Sequence, residues 1–149
     1  MKTMTHLDAA MTGLEQLQAM IAANAGPAIA RTLNFTLAEV ADGRAVFEGT
    51  PGHETYNPMA TVHGGYAATL LDSACGCAVH SKLSATQAYT TLELKIAYHK
   101  AMTADTGTVR AEGHVLSFGR RVAFAEAKLT DEAGRLYASA TSTLLIFDK

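Results

Sequence analysis

Charge is scarce in this chain, and no one sign dominates. Only 17% of its 149 residues are Asp, Glu, Lys or Arg, and the net charge is −2. No cluster of Lys and Arg appears, so the electrostatic footprint that nucleic acid demands is missing. Long apolar runs are missing too: no stretch reaches the ~20 residues a membrane-spanning helix needs. The opening residues, Met1 to His6, carry no apolar signal core, which predicts a cytoplasmic protein. There is no internal repeat, low-complexity segment or linker. Cysteine is limited to Cys75 and Cys77. Two apart on a helix, they point in different directions and cannot bond to each other. A metal at Cys-x-Cys needs further ligands, and His80 is the single candidate nearby. Two small buried thiols are the plainer reading.

What is present is apolar: 48% of the residues are hydrophobic. A chain of this length forms one domain with a sizeable core. The apolar content peaks between Tyr66 and Val79, where the one charge is Asp72. A helix that is apolar all round is buried. Its small residues, among them Ala67, Ala68, Ala74, Cys75 and Gly76, let other elements pack close. Before it stand Asn57-Pro58, a loop signal, and then His63-Gly64-Gly65. Glycines at a helix start leave backbone N–H groups free, with the positive end of the helix dipole behind them. Such a start suits an anion or a developing oxyanion.

The rest of the chain reads as scaffold. Thr12-Gly13-Leu14-Glu15 fits a capping box, and Leu14, Leu17, Met20 and Ile21 follow at helical spacing. Pro27 starts a short second turn. Phe35–Val40 and Ala45–Thr50 form a hairpin across Asp42-Gly43. After the central helix the period becomes two: Leu92, Leu94, Ile96 and Tyr98 alternate with Thr91, Glu93, Lys95, Ala97 and His99. That alternation puts Thr91 on the polar face. Strands over 106–117, 120–130 and 136–147 follow, joined by short turns that make neighbours antiparallel. The expected fold class is α+β: five to six antiparallel strands wrapped around one central helix. Residues 1–33 form an N-terminal helical segment and residues 34–149 the core. The second sheet face leaves Val122 and Phe124 in need of cover, which a homo-oligomer would supply.

This order of elements resembles the hotdog-fold thioesterases, closest to the PaaI-type branch of phenylacetic acid degradation. The resemblance covers Leu33 to Phe147. Its most specific piece is Asn57, then His63-Gly64-Gly65, then Asp72 nine residues after the histidine. It implies hydrolysis of an acyl-CoA thioester with a short, medium or aromatic acyl group. It implies that the Gly64 and Gly65 amides polarise the carbonyl and that Asp72 acts across a dimer interface as base or nucleophile. Thr91 matches the position that places the water. Gly119, Arg120 and Arg121 lie in the turn that the family uses to hold coenzyme A phosphates. Coenzyme A is then part of the substrate, and neither a separate cofactor nor a metal is expected. The assembly implied is a dimer, further paired into a tetramer, with active sites between subunits.

Each residue also has a plainer reading. Asp72 has no Lys or Arg three or four residues away, which argues against a surface ion pair. His63 serves equally as a helix cap or as a catalytic group. Gly64 and Gly65 suit a tight turn as well as a close substrate. Asn57 is a common turn residue, Thr91 a common strand residue, and Arg120 and Arg121 common hairpin residues. Two other function classes use the same fold. One is a non-catalytic acyl-CoA binder. The other is a hydratase or dehydratase pairing His63 with Asp72 for proton transfer.

Overall fold

The computed structural model describes every residue from Met1 to Lys149. Chain order gives β1 (Lys2–Thr3), α1 (Gly13–Ala22), β2 (Ala25–Gly26), α2 (Ala28–Thr32), β3 (Phe35–Ala41) and β4 (Arg44–Gly49). The long helix α3 (Gly64–His80) follows. Then come β5 (Gln87–Tyr98), β6 (Val109–Phe118), β7 (Val122–Asp131) and β8 (Leu136–Asp148). Six strands make one antiparallel sheet in the order β3-β4-β6-β7-β8-β5. The chain leaves β4 at one end of the sheet, runs through α3 and enters at the opposite edge as β5.

Local signals fix the first elements. The capping box at α1 is formed: Thr12 Oγ1 accepts from the Glu15 N–H, and Glu15 Oε2 accepts from the Thr12 N–H. Gly43 turns the β3–β4 hairpin at φ 76°, in the left-handed region that favours glycine. The N-terminal segment also contains the parallel β1–β2 pair, which two-residue strands give no periodicity to announce.

α3 fills the concave side of the sheet. Leu70, Leu71, Ala74, Cys75, Ala78 and Val79 are wholly buried. Small residues set the spacing. Gly113 of β6 lies directly beneath α3, where a Cβ would stand 2.5 Å from the Ala74 carbonyl carbon and 3.0 Å from the Cys75 nitrogen. The middle of the inward face of β6 and β7 is an alanine stripe, Ala111, Ala123, Ala125 and Ala127, flanked by Val109 and Leu129, all buried. Helix and sheet meet nearly backbone to backbone.

One expectation is corrected. Simple alternation puts Thr91 with Glu93 and Lys95. In the structure β5 bulges between Thr91 and Glu93. Two residues there oppose one on β8, so parity reverses. Thr91 pairs with wholly buried Leu144 and faces α3, while Glu93 pairs with Thr143 on the outer face. Leu92, the extra residue, is pushed out and exposed. Phe124 and Leu116 are also exposed, on the central strands β7 and β6.

Candidate active site

The loop before α3 is tied by one asparagine. Asn57 Oδ1 accepts from the Met59 N–H at 2.9 Å and the Thr61 N–H at 3.3 Å, and Asn57 Nδ2 donates to Thr61 Oγ1 at 3.0 Å. Its side chain is therefore engaged within its own turn. The Val62 N–H donates to Met102 O and the His63 N–H to Thr55 O, which anchors the helix entry.

His63 is the N-cap. Its Nδ1 accepts from the Gly65 N–H at 2.8 Å. An accepting Nδ1 leaves the ring proton on Nε2. The Gly65 amide is thus used within the chain, whereas the Gly64 N–H has no partner there. The 17-residue helix behind it adds its dipole. Tyr98 covers this start: its hydroxyl donates to Gly64 O at 2.8 Å, and a Cβ at Gly64 would stand 3.0 Å from the ring. Sequence reasoning missed Tyr98 because it ended an ordinary alternating strand.

Asp72 lies two turns further along, half-buried. Thr91 Oγ1 donates to Asp72 Oδ1 at 3.0 Å, so the bulge of β5 brings the two together within one chain. Asp72 borders a cavity of about 790 Å³ beside Ser73 and Cys77. Burial, reinforced by the Asp72 carboxylate, pushes the Cys75 and Cys77 thiols up to about 12. Both stay neutral and unreactive at physiological pH. No three His, Cys, Asp or Glu side chains gather to hold a metal.

Arg120 and Arg121 sit in the β6–β7 turn, exposed and in no ion pair. Gly119 closes that turn by donating its N–H to Val122 O. Ala123, Leu144 and Thr91 are cross-strand partners in register. The turn therefore lies at the Thr91 end of the sheet, two strands or ~10 Å from it.

Gly64 and Asp72 do not meet in one chain. Eight residues of α-helix separate them by ~12 Å along the axis. A helix start with a free amide is one half of what acyl transfer uses, and a carboxylate held by a threonine beside an apolar cavity is the other. The model of the thioesterase superfamily matches residues 59–138, which span both halves. This chain belongs to the thioesterase superfamily. Its fold is the hotdog, and its likeness is to the PaaI-type branch. A conserved protein of Pseudomonas aeruginosa is 29% identical, with a TM-score of 0.76 over 82% of this chain and 95% of that one. A point mutant of phenylacetic acid degradation protein PaaI from Thermus thermophilus is 25% identical. Its TM-score is 0.71, over 78% of this chain and 96% of its own. A Streptococcus mutans protein bound to acetyl CoA is also 25% identical, with a TM-score of 0.70 over 78% and 90%. No curated protein matches the chain in sequence. No helix is long and apolar enough to cross a membrane.

Proposed function

We propose that this superfamily member hydrolyses acyl-CoA thioesters at a site shared by two copies of the chain. The observation that carries the reading is the Thr91–Asp72 hydrogen bond at the edge of the cavity, with a free Gly64 amide ~12 Å away along the same helix. One thioester cannot touch both within a single chain. β5 supplies the second half. It is an edge strand of 12 residues with one side unpaired. Tyr98 binds the Gly64 end of α3, and Thr91 binds Asp72. Antiparallel pairing of two β5 strands reverses one against the other. The Gly64 end of one subunit then lies beside the Asp72 end of its partner.

The chemistry follows from these groups. The Gly64 N–H, backed by the helix dipole, stabilises the oxyanion that forms on the thioester carbonyl. His63 holds the helix start by capping Gly65, and Asn57 holds the loop ahead of it. Thr91 fixes Asp72 Oδ1 and leaves Oδ2 open. Oδ2 takes a proton from water, whose oxygen attacks the carbonyl; alternatively Oδ2 attacks directly and water cleaves the anhydride. Either way the C–S bond breaks, and coenzyme A leaves as the thiol.

His63 Nδ1 accepts from the Gly65 N–H, which leaves the ring proton on Nε2 and no free ring nitrogen to act as a base toward a neighbouring substrate. That disfavours the hydratase pairing. A free-thiol assay with a panel of acyl-CoAs tests the enzyme reading. Release of coenzyme A is expected, and binding without release would make the protein a carrier or sensor.

The assembly is a dimer through β5. Leu92, Leu116 and Phe124 offer apolar surface for pairing dimers into a tetramer. Light scattering should report two or four chains. An active, stable monomer would refute the shared site.

Arg120 and Arg121, exposed and free of ion pairs, are the cations proposed to hold coenzyme A phosphates. Changing both to Ala should raise KM by about tenfold with kcat nearly unchanged, since the contacts serve ground and transition states alike. The difference should shrink as salt is added. A fall in kcat at constant KM would assign the pair another role.

A further inference from the structure

The cavity beside Asp72 is roofed by residues that the superfamily model does not reach. Its floor is one stripe of α3, from Asp72 past Cys77 to His80. Phe47 and Tyr89 form walls. The roof is the strap Met4–Ala9 together with Leu17 and Met20 of α1. The superfamily match begins at residue 59, so strap, α1 and Phe47 all lie outside it.

The strap is pinned at both ends. The Lys2 N–H donates to Asn24 O and the Met4 N–H to Gly26 O, each at 2.8 Å. Beyond the strap's middle, Gln16 Nε2 donates to Asp8 O at 2.7 Å. Gln16 is only 4% exposed. With its amide nitrogen spent on a carbonyl, its Oε1 faces His80 Nε2 at 2.7 Å, and that nitrogen must donate. Burial pulls the His80 pKa down, which keeps the ring neutral. The end of the cavity away from Asp72 is therefore closed by a satisfied, uncharged pair. From Asp72 to His80 the floor runs ~12 Å. A mostly apolar concavity of this size is what a small apolar ligand fills.

We infer that the N-terminal strap and α1 convert this cavity into the acyl pocket and set its length. The occupant is an apolar acyl group longer than acetyl, with its carbonyl at Asp72 and its far end at the Gln16–His80 pair. Acyl selectivity then depends on the N-terminal segment as well as on the α3 floor and the Tyr89 wall. The inference rests on the thioesterase reading for its ligand. Its test is separable, because binding can be read without hydrolysis.

S-alkyl-CoA thioethers cannot be hydrolysed. Isothermal calorimetry with the full-length protein should show S-octyl-CoA binding at least about tenfold tighter than S-ethyl-CoA, since each buried methylene contributes about fourfold. Cys77→Phe grows into the floor. It should abolish most of that preference while leaving S-ethyl-CoA within about twofold of the parent. Gln16→Ala releases the strap and the far closure and should also reduce the preference. Equal affinity for the two thioethers in the parent protein overturns the inference. So does a folded Cys77→Phe that keeps the full preference. If Cys77→Phe does not fold, the parent comparison and Gln16→Ala decide. Octanoyl-CoA and acetyl-CoA complete the separation. Length-dependent binding without release of coenzyme A leaves the pocket standing and removes the hydrolase. Release that ignores acyl length, with equal thioether affinities, does the reverse.

Discussion

Asp72→Asn should lower thioester turnover by ~10²–10⁴ while the protein stays folded and assembled, since general base catalysis is worth about that factor. The substitution keeps size and shape. The amide oxygen still accepts from Thr91 Oγ1, which now donates to Asp72 Oδ1 at 3.0 Å. What disappears is the second carboxylate oxygen as a proton acceptor or nucleophile. Stability should hold, because Asp72 is half-buried and forms no ion pair, so no cation loses a partner. Asp72→Ala is a poorer probe: it strands the Thr91 hydroxyl and mixes a packing loss with the chemical one. The measurement is coenzyme A release at saturating substrate, with a thermal melt and gel filtration on the same sample. A folded, assembled Asn variant that hydrolyses at the parent rate would make Asp72 structural and remove the proposed mechanism.

Gly113→Ala should destabilise the fold by about 3 kcal/mol, the upper end of the usual range for overpacking. The reason is the backbone contact between sheet and helix. A methyl at Gly113 meets the carbonyl carbon of Ala74 at 2.5 Å and the Cys75 nitrogen at 3.0 Å. Neither is a side chain that can rotate away. Either α3 lifts from β6 or the central strand bends. Lifting α3 moves Asp72 relative to Thr91 on β5, so turnover should fall as well as melting temperature. A conservative surface change such as Ser117→Ala on the same strand, where the parent residue is exposed, should do neither. If Gly113→Ala melts like the parent, the contact between helix and sheet is looser than described and the alanine stripe has another cause.

The two halves of the proposed site differ in how far the sequence reveals them. The helix start was readable, because proline, glycine and an N-cap act over a few residues. Asp72 stood out because a lone carboxylate in an apolar helix has no local excuse. The assignment of donors within that start was less accessible. His63-Gly64-Gly65 offers two amides on paper, but the His63 ring turns back on Gly65 and leaves Gly64 as the free donor. That choice depends on one side-chain torsion, which no spacing encodes. The N-terminal strap escaped for a related reason. Two-residue strands have no period, and β1 exists only because β2 is beside it.

By itself the sequence determined the elements whose cause is local. Thr12 and Glu15 cap α1 through bonds that span three residues. Asp42-Gly43 turns a hairpin because glycine reaches a positive φ without strain. An apolar run rich in small residues marked α3 as the buried centre. Tertiary structure alone decided which way Thr91 faces. The alternation of β5 is unbroken in the sequence. The bulge at Leu92 arises because β5 must match β8 on one side while keeping Tyr89, Thr91, Leu94 and Ile96 opposite inward partners on β8. A strand's parity is a property of its pairing, not of its residues, and one extra residue in the ladder carries Thr91 from the polar face to Asp72.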